Sequence, residues 1–238
     1  MRAMNTVIAR YRFHALAVAA LAAVVLAGFA KTYYFRIFFD NPPLARAEHL
    51  HGLIATVWIA LHFTQARLVA AHRVDLHRRL GIFGACVAAL LAVQVIAMAI
   101  GNAAAGHAPP GRDPLQFLSV PLGTTTMFVL FVGGALALRR QREWHKRLML
   151  LATMTLLVPA MGRLDSQLMA PLGLPRLVLA PAVTFAFVAW ACVHDWRRLG
   201  RVHPAFIVGG IALLVSLPLR RAIGFSDAWL PIARWLVG

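Results

Sequence analysis

Seven long apolar runs, separated by short polar stretches, organise this chain. They occupy roughly residues 14–30, 50–71, 80–101, 117–138, 148–169, 177–193 and 205–219. Most reach the ~20 residues that a helix needs to cross about 30 Å of hydrocarbon. The first, sixth and seventh are the shortest. All seven are too long for core strands and too uniformly apolar for surface helices, so the pattern predicts membrane-crossing α-helices. Turn formers fall between them. Asn41-Pro42-Pro43 precedes the second run, and residues 106–111, with Pro109-Pro110, separate the third from the fourth. Pro171, Pro175 and Pro181 bracket the connection between the fifth and sixth, and Pro204 suits the first turn of the seventh helix. Residues 223–238 carry Trp229, Arg234 and Trp235, the profile of a short amphipathic segment at a membrane interface. The expected fold class is all-α: one polytopic integral membrane helix bundle over residues 1–238, with about seven transmembrane helices and no soluble domain.

One run departs from a plain anchor. In the second, His51, Trp58, His62, Gln65 and His72 recur at spacings that put them on one face of a helix. His62 and Gln65 fall inside the hydrocarbon, where a polar side chain is costly unless it meets a partner, a cavity or a ligand. That stripe is the leading sequence clue to activity.

Composition agrees with the membrane assignment: the chain is 61% hydrophobic and only 13% charged. A net charge of +16 raises the question of nucleic acid, but its distribution argues for topology. Basic residues gather at the N-terminus (Arg2, Arg10, Arg12) and in the second, fourth and sixth connections. These hold Arg67, Arg73, Arg78 and Arg79; Arg139, Arg140, Arg142, Lys146 and Arg147; and Arg197, Arg198 and Arg201. The alternate connections are poorer, and Asp40, Glu48, Asp113 and Asp165 offset their charge. This is the positive-inside pattern. It predicts N-in, C-out insertion, with the lipid bilayer rather than nucleic acid as partner. Arg220 and Arg221 fit it least, since they fall at the outer end of the last helix. The first run also has a signal-peptide profile ending in Gly28-Phe29-Ala30. A retained first helix is favoured because it sets the orientation that the basic second connection needs.

Cys86 and Cys192 both lie in apolar runs, which indicates neither a disulfide framework nor a cysteine zinc site. GxGxxG, P-loop, GxSxG and HExxH motifs are absent. Lys31 and Lys146 are the only lysines and both sit at connections, so no span offers a Schiff-base lysine of the retinal-protein kind.

Several strings carry a family resemblance. They are His49-Leu50-His51-Gly52, Leu76-His77-Arg78-Arg79-Leu80-Gly81, Val120-Pro121-Leu122, and the nine residues from His145 to Thr153. The tail around His203-Pro204-Ala205 and from Trp229 to Trp235 joins them. Over nearly its whole length the chain resembles a widespread group of small, uncharacterised bacterial integral membrane proteins. The resemblance implies a multi-pass protein of the bacterial inner membrane and supplies no activity. Histidines at the ends of membrane helices give a second, thematic likeness to transmembrane b-type cytochromes.

The candidate chemistry centres on histidine. His49, His51 and His107 fall toward the outer surface; His14, His72, His77, His145, His194 and His203 fall toward the cytoplasmic one. His77 and His145, flanked by basic residues at helix starts, read as boundary residues that meet lipid headgroups or helix ends. On the outer side, packing of the second and fifth helices would let His51, Arg163 and Asp165 line one pocket. Such a pocket suits a heme, with an axial histidine and an arginine on a propionate, or a quinone headgroup. His49, His51 and Asp165 are the candidate metal ligands. The plainer alternative is a buried ion pair that fixes packing. His62 is a second candidate heme ligand, with Met98, Met127, Met154 or Met161 opposite. Gln65, Gln94 and the Thr124-Thr125-Thr126 run are alternative hydrogen-bond partners for it. The expected cofactor-binding residues are therefore His51, His62, Gln65, Arg163 and Asp165, and the candidate cofactor is heme b. Three function classes fit: a redox protein binding heme or quinone, a transporter or channel for a small solute or protons, and an accessory subunit that assists assembly of a membrane complex.

Overall fold

The computed structural model describes residues 2–39, 41–172 and 179–238, with side chains omitted for 2–12 and 170. Asp40, Pro175, the start of the sixth run at 177 and the side chains of Arg2, Arg10 and Arg12 lie outside the described residues. Nine α-helices are present among them: α1 (Arg2–Phe29), α2 (Arg46–Ala70), α3 (Val74–Ala104), α4 (Pro114–Ala137), α5 (Arg142–Met154), α6 (Leu157–Leu164), α7 (Leu179–Leu199), α8 (Pro204–Gly224) and α9 (Trp229–Val237). Each apolar run coincides with one of seven helical segments long and apolar enough to cross a membrane, although the second and fourth runs end one residue beyond their helices and the sixth begins outside the described residues.

The helices overrun the apolar runs because their first turns are built from charged residues that hydropathy leaves out. α2 starts at Arg46, where the Glu48 carboxylate accepts the Ala45 N–H at 2.8 Å. α5 starts at Arg142 with Glu143 in its first turn, where a carboxylate suits the helix dipole. At its far end α2 stops before His72, the one described non-glycine residue with positive φ (59°). The His72 and Arg73 N–H groups return to the Val69 and Leu68 carbonyls, which closes the helix and reverses the chain into α3. His72 therefore leaves the polar stripe, which continues only from His51 to Gln65.

The fifth run is broken. Pro159 cannot donate to a carbonyl one turn back, and its ring would crowd it. The chain switches there to shorter i→i+3 bonds, from Thr155 to Ala152, Leu156 to Thr153 and Val158 to Thr155. α5 and α6 result, followed by a wide π turn over Asp165–Met169.

This broken span is the centre of the bundle. Leu150, Leu151, Ala152, Met154, Leu157 and Ala160 have no exposed surface. Around it run α1, α2, α3, α4, α8 and α7, each packed on the next. Phe13 of α1 closes the ring by stacking on His194 of α7, at 3.7 Å between ring centres. The outward faces stay apolar: Ile82, Val93, Val208, Ile211 and Phe185 are all exposed. Water would penalise such a surface and lipid does not.

Two glycines set the closest approaches. A Cβ on Gly28 would lie 2.6 Å from the Ala160 carbonyl oxygen, so α1 rests directly on α6. A Cβ on Gly224 would lie 2.3 Å from the Gln116 carbonyl oxygen, so α8 meets the start of α4. The C-terminal segment begins later than its composition suggests, since residues 223 and 224 finish α8. α9 then docks on α4, where the Trp229 indole N–H donates to the Leu115 carbonyl at 2.8 Å and Ala233 is fully buried.

Candidate functional site

The bundle has two unlike ends. The starts of α1, α3, α5 and α8 and the finishes of α2, α4 and α7 make a basic end; the remaining connections and α9 make the far end.

At the basic end a buried ion-pair network ties three helices together. Arg147 of α5 and Asp195 of α7 are 0% and 1% exposed. The guanidinium donates through Nε at 2.7 Å and through Nη2 at 2.5 Å to the two Asp195 oxygens, a bidentate fork. Its Nη1 donates to the Glu143 carbonyl at 2.8 Å and carboxylate at 2.6 Å, while Lys146 pairs with Glu143 at 2.7 Å. Asp195 also accepts the His203 N–H at the start of α8, at 3.2 Å. Sequence reading misses this network. Arg147 looks like one more topology charge, and the sixth apolar run stops at 193, although the helix continues to Leu199 and carries Asp195 inward.

Against this network stand five histidines from five helices: His14, His62, His77, His145 and His194. His14 lies within charge range of His62, His194, Lys146 and Arg147, and His62 lies within range of His145. The ring protons follow from the partners. His145 Nδ1 sits 2.8 Å from the Ala135 carbonyl, which can only accept, so Nδ1 carries a proton. Thr153 Oγ1 donates to the Met149 carbonyl at 3.2 Å and therefore accepts from His62 Nδ1 at 2.5 Å, which puts a proton on His62 Nδ1 as well. His77 presents a buried Nδ1 with no hydrogen-bond partner, and its ring centre is 6.3 Å from that of His145 with planes at 86°. The His77 carbonyl accepts from Gln65 Nε2 at 3.1 Å, which joins the α2 stripe to this cluster.

The expected outer pocket at the far end assembles only in part. His51 and Arg163 lie within charge range of each other, but Arg163 is exposed, sits 4.2 Å over the Phe29 ring and donates to the Pro159 carbonyl. Asp165 makes no hydrogen bond or ion pair with either among the described residues. It is 1% exposed and accepts the Leu179 N–H of α7 at 3.3 Å. His49 is exposed, with the Tyr33 hydroxyl donating to its carbonyl. His49, His51 and Asp165 are thus not brought together, and no three His, Cys, Asp or Glu among the described residues form a group that could hold a metal ion. The proposed partners of His62 also go elsewhere. Gln94 donates to the Ala47 carbonyl, Thr124 takes a bond from Arg220, and Thr125 and Thr126 bond their own helix. Met154 and Met161 are core residues of the central span.

No family model, no curated protein and no solved structure matches the chain.

Proposed function

We propose that the chain is a multi-pass redox protein in which His77 of α3 and His145 of α5 would hold a b-type heme. The observation that carries this is the imidazole pair itself. Their ring centres stand 6.3 Å apart with planes at 86°, near enough for both imidazoles to serve one bound group. The Ala135 carbonyl orients His145 from behind, the outer contact that fixes the tautomer of a ligating histidine. His62, with its Nδ1 likewise protonated and within charge range, is a third imidazole at the edge of the pair. Arg78, next to His77, supplies positive charge for a propionate. When bound, the heme would supply one-electron chemistry; His77 and His145 would hold it, with the Ala135 carbonyl orienting His145.

The basic end then faces the cytoplasm of a bacterial inner membrane, N-in and C-out, as the positive-inside distribution favours. The electron partner is a quinone or a membrane-complex subunit. A second reading, a proton or small-solute path, draws on the buried and unpartnered Nε2 atoms of His14 and His194 in the same cluster. Heme content separates the two. His145→Ala and His77→Ala are expected to lose bound heme while still inserting, and His51→Ala is expected to keep it. Full heme content in both His77→Ala and His145→Ala, or none in the wild type grown with heme precursor, would overturn the proposal.

A further inference from the structure

Arg220 and Arg221 lie at the end of α8 that the positive-inside pattern leaves without basic charge, and the structure sends them in opposite directions. Arg220 turns into the bundle. It is 4% exposed and donates to Thr124 Oγ1 on α4 and to the Ser216 carbonyl. Arg221 turns outward to a cavity of about 80 Å³ between α8 and the start of α4. That volume holds roughly five to eight water molecules at the ~10–15 Å³ each requires. Arg112 lines the same cavity from the connection before α4, with Gln116, Ser119 and Phe225 around it.

The polar groups of this cavity are short of an anion. Neither Arg112 nor Arg221 makes a salt bridge among the described residues. Burial and the facing Arg221 charge both push the Arg112 guanidinium below its ordinary value. The one carboxylate in the lining, Asp113, caps α4 by accepting the Gln116 N–H at 2.9 Å. Ser119 Oγ donates to the Gln116 carbonyl at 2.8 Å. The 24-residue α4 directs its positive dipole end at the cavity. The walls are held in place, because Gly224 allows α8 to touch the Gln116 backbone and Ser119 directly.

We propose that Arg112 and Arg221 form a binding site for a phosphate group at the far end of the bundle, taken from a phospholipid headgroup or from free phosphate. The two guanidinium planes supply the bidentate donors that phosphate oxygens favour. The exposed Phe225 beside them suits the glycerol and upper acyl region of a lipid. This site resolves the charge anomaly, since both arginines serve local partners rather than topology.

The test uses the full chain in dodecyl maltoside without phosphate. Native mass spectrometry reads retention of added phosphatidylglycerol, and thermal shift reads stabilisation by inorganic phosphate against chloride at equal ionic strength. Lipid retention without a phosphate response assigns the headgroup; a response to inorganic phosphate assigns the free anion. In either case Arg112→Gln/Arg221→Gln is expected to weaken binding at least about tenfold, the factor for losing charge-assisted hydrogen bonds. If the double variant does not fold, Arg221→Gln, at an exposed position, is read in its place. Equal binding by variant and wild type, or no binding of either probe by the wild type, overturns the site.

Discussion

Removing the Asp195 carboxylate strands a cation in the bundle, and the cost follows from the contacts. Arg147 is wholly buried, and Asp195 receives its Nε and Nη2. Only Nη1 keeps partners, on Glu143. Asp195→Ala therefore leaves two buried Arg147 donors without acceptors, at ~1–3 kcal/mol each, and also frees the part-buried His203 N–H. Breaking one side of a buried pair costs about 3–5 kcal/mol in other proteins. The ranges overlap, so a loss of about 3–5 kcal/mol is expected. Asp195→Asn keeps one oxygen as acceptor and should lose about half as much. Arg147→Met/Asp195→Leu removes both charges and should return within ~1 kcal/mol of the wild type, since apolar replacement of a buried pair is commonly neutral or stabilising. The assay is reversible unfolding in dodecyl maltoside micelles by rising dodecyl sulfate, followed by circular dichroism. A loss below about 1 kcal/mol for Asp195→Ala, or a double variant as unstable as the single one, would refute the reasoning.

Gly28→Ala should destabilise by ~1–3 kcal/mol through overpacking, despite alanine's better helix propensity, because its Cβ meets the Ala160 backbone; the same unfolding assay reads it, and a stabilised variant contradicts the close contact. His203 caps α8 by accepting the Ala205 N–H on Nδ1 at 3.1 Å, which requires the neutral ring. Burial, then the Arg147 charge, pushes its pKa below the ordinary 6.5. The unfolded chain then binds the proton more readily, so this contribution is fully present above pH 6.5 and is lost as pH falls through the lower folded value. His203→Asn keeps the cap without the titration; melting curves across that window should show a smaller acid-induced drop than the wild type, and identical drops sink the assignment.

The architecture was legible because apolar length alone reports a membrane helix. The seven runs locate the seven helices long and apolar enough to cross a membrane; their ends and the break at Pro159 are set by packing. Proline inside an apolar run is tolerated when neighbouring helices satisfy the freed carbonyls, so hydropathy does not register the kink. The basic-end site was much less legible. His62 meets Thr153 across 91 residues, and Arg147 meets Asp195 across 48. Which helices face each other is a tertiary choice that period and composition do not carry. His77 and His145 sit among arginines and read as boundary residues, although packing turns them toward each other. The outer pocket assembles only in part for the converse reason. Arg163 and Asp165 are close in sequence, but Asp165 opens the π turn and is bonded to the start of α7.

The most direct test of the central claim is the absorption spectrum of the detergent-purified protein, oxidised and then reduced with dithionite, beside that of His145→Ala. The account predicts the sharp reduced α-band of a b-type heme in the wild type and its loss in the variant. Protein absorption alone in a wild type supplied with heme, or an unchanged band in His145→Ala, would contradict it.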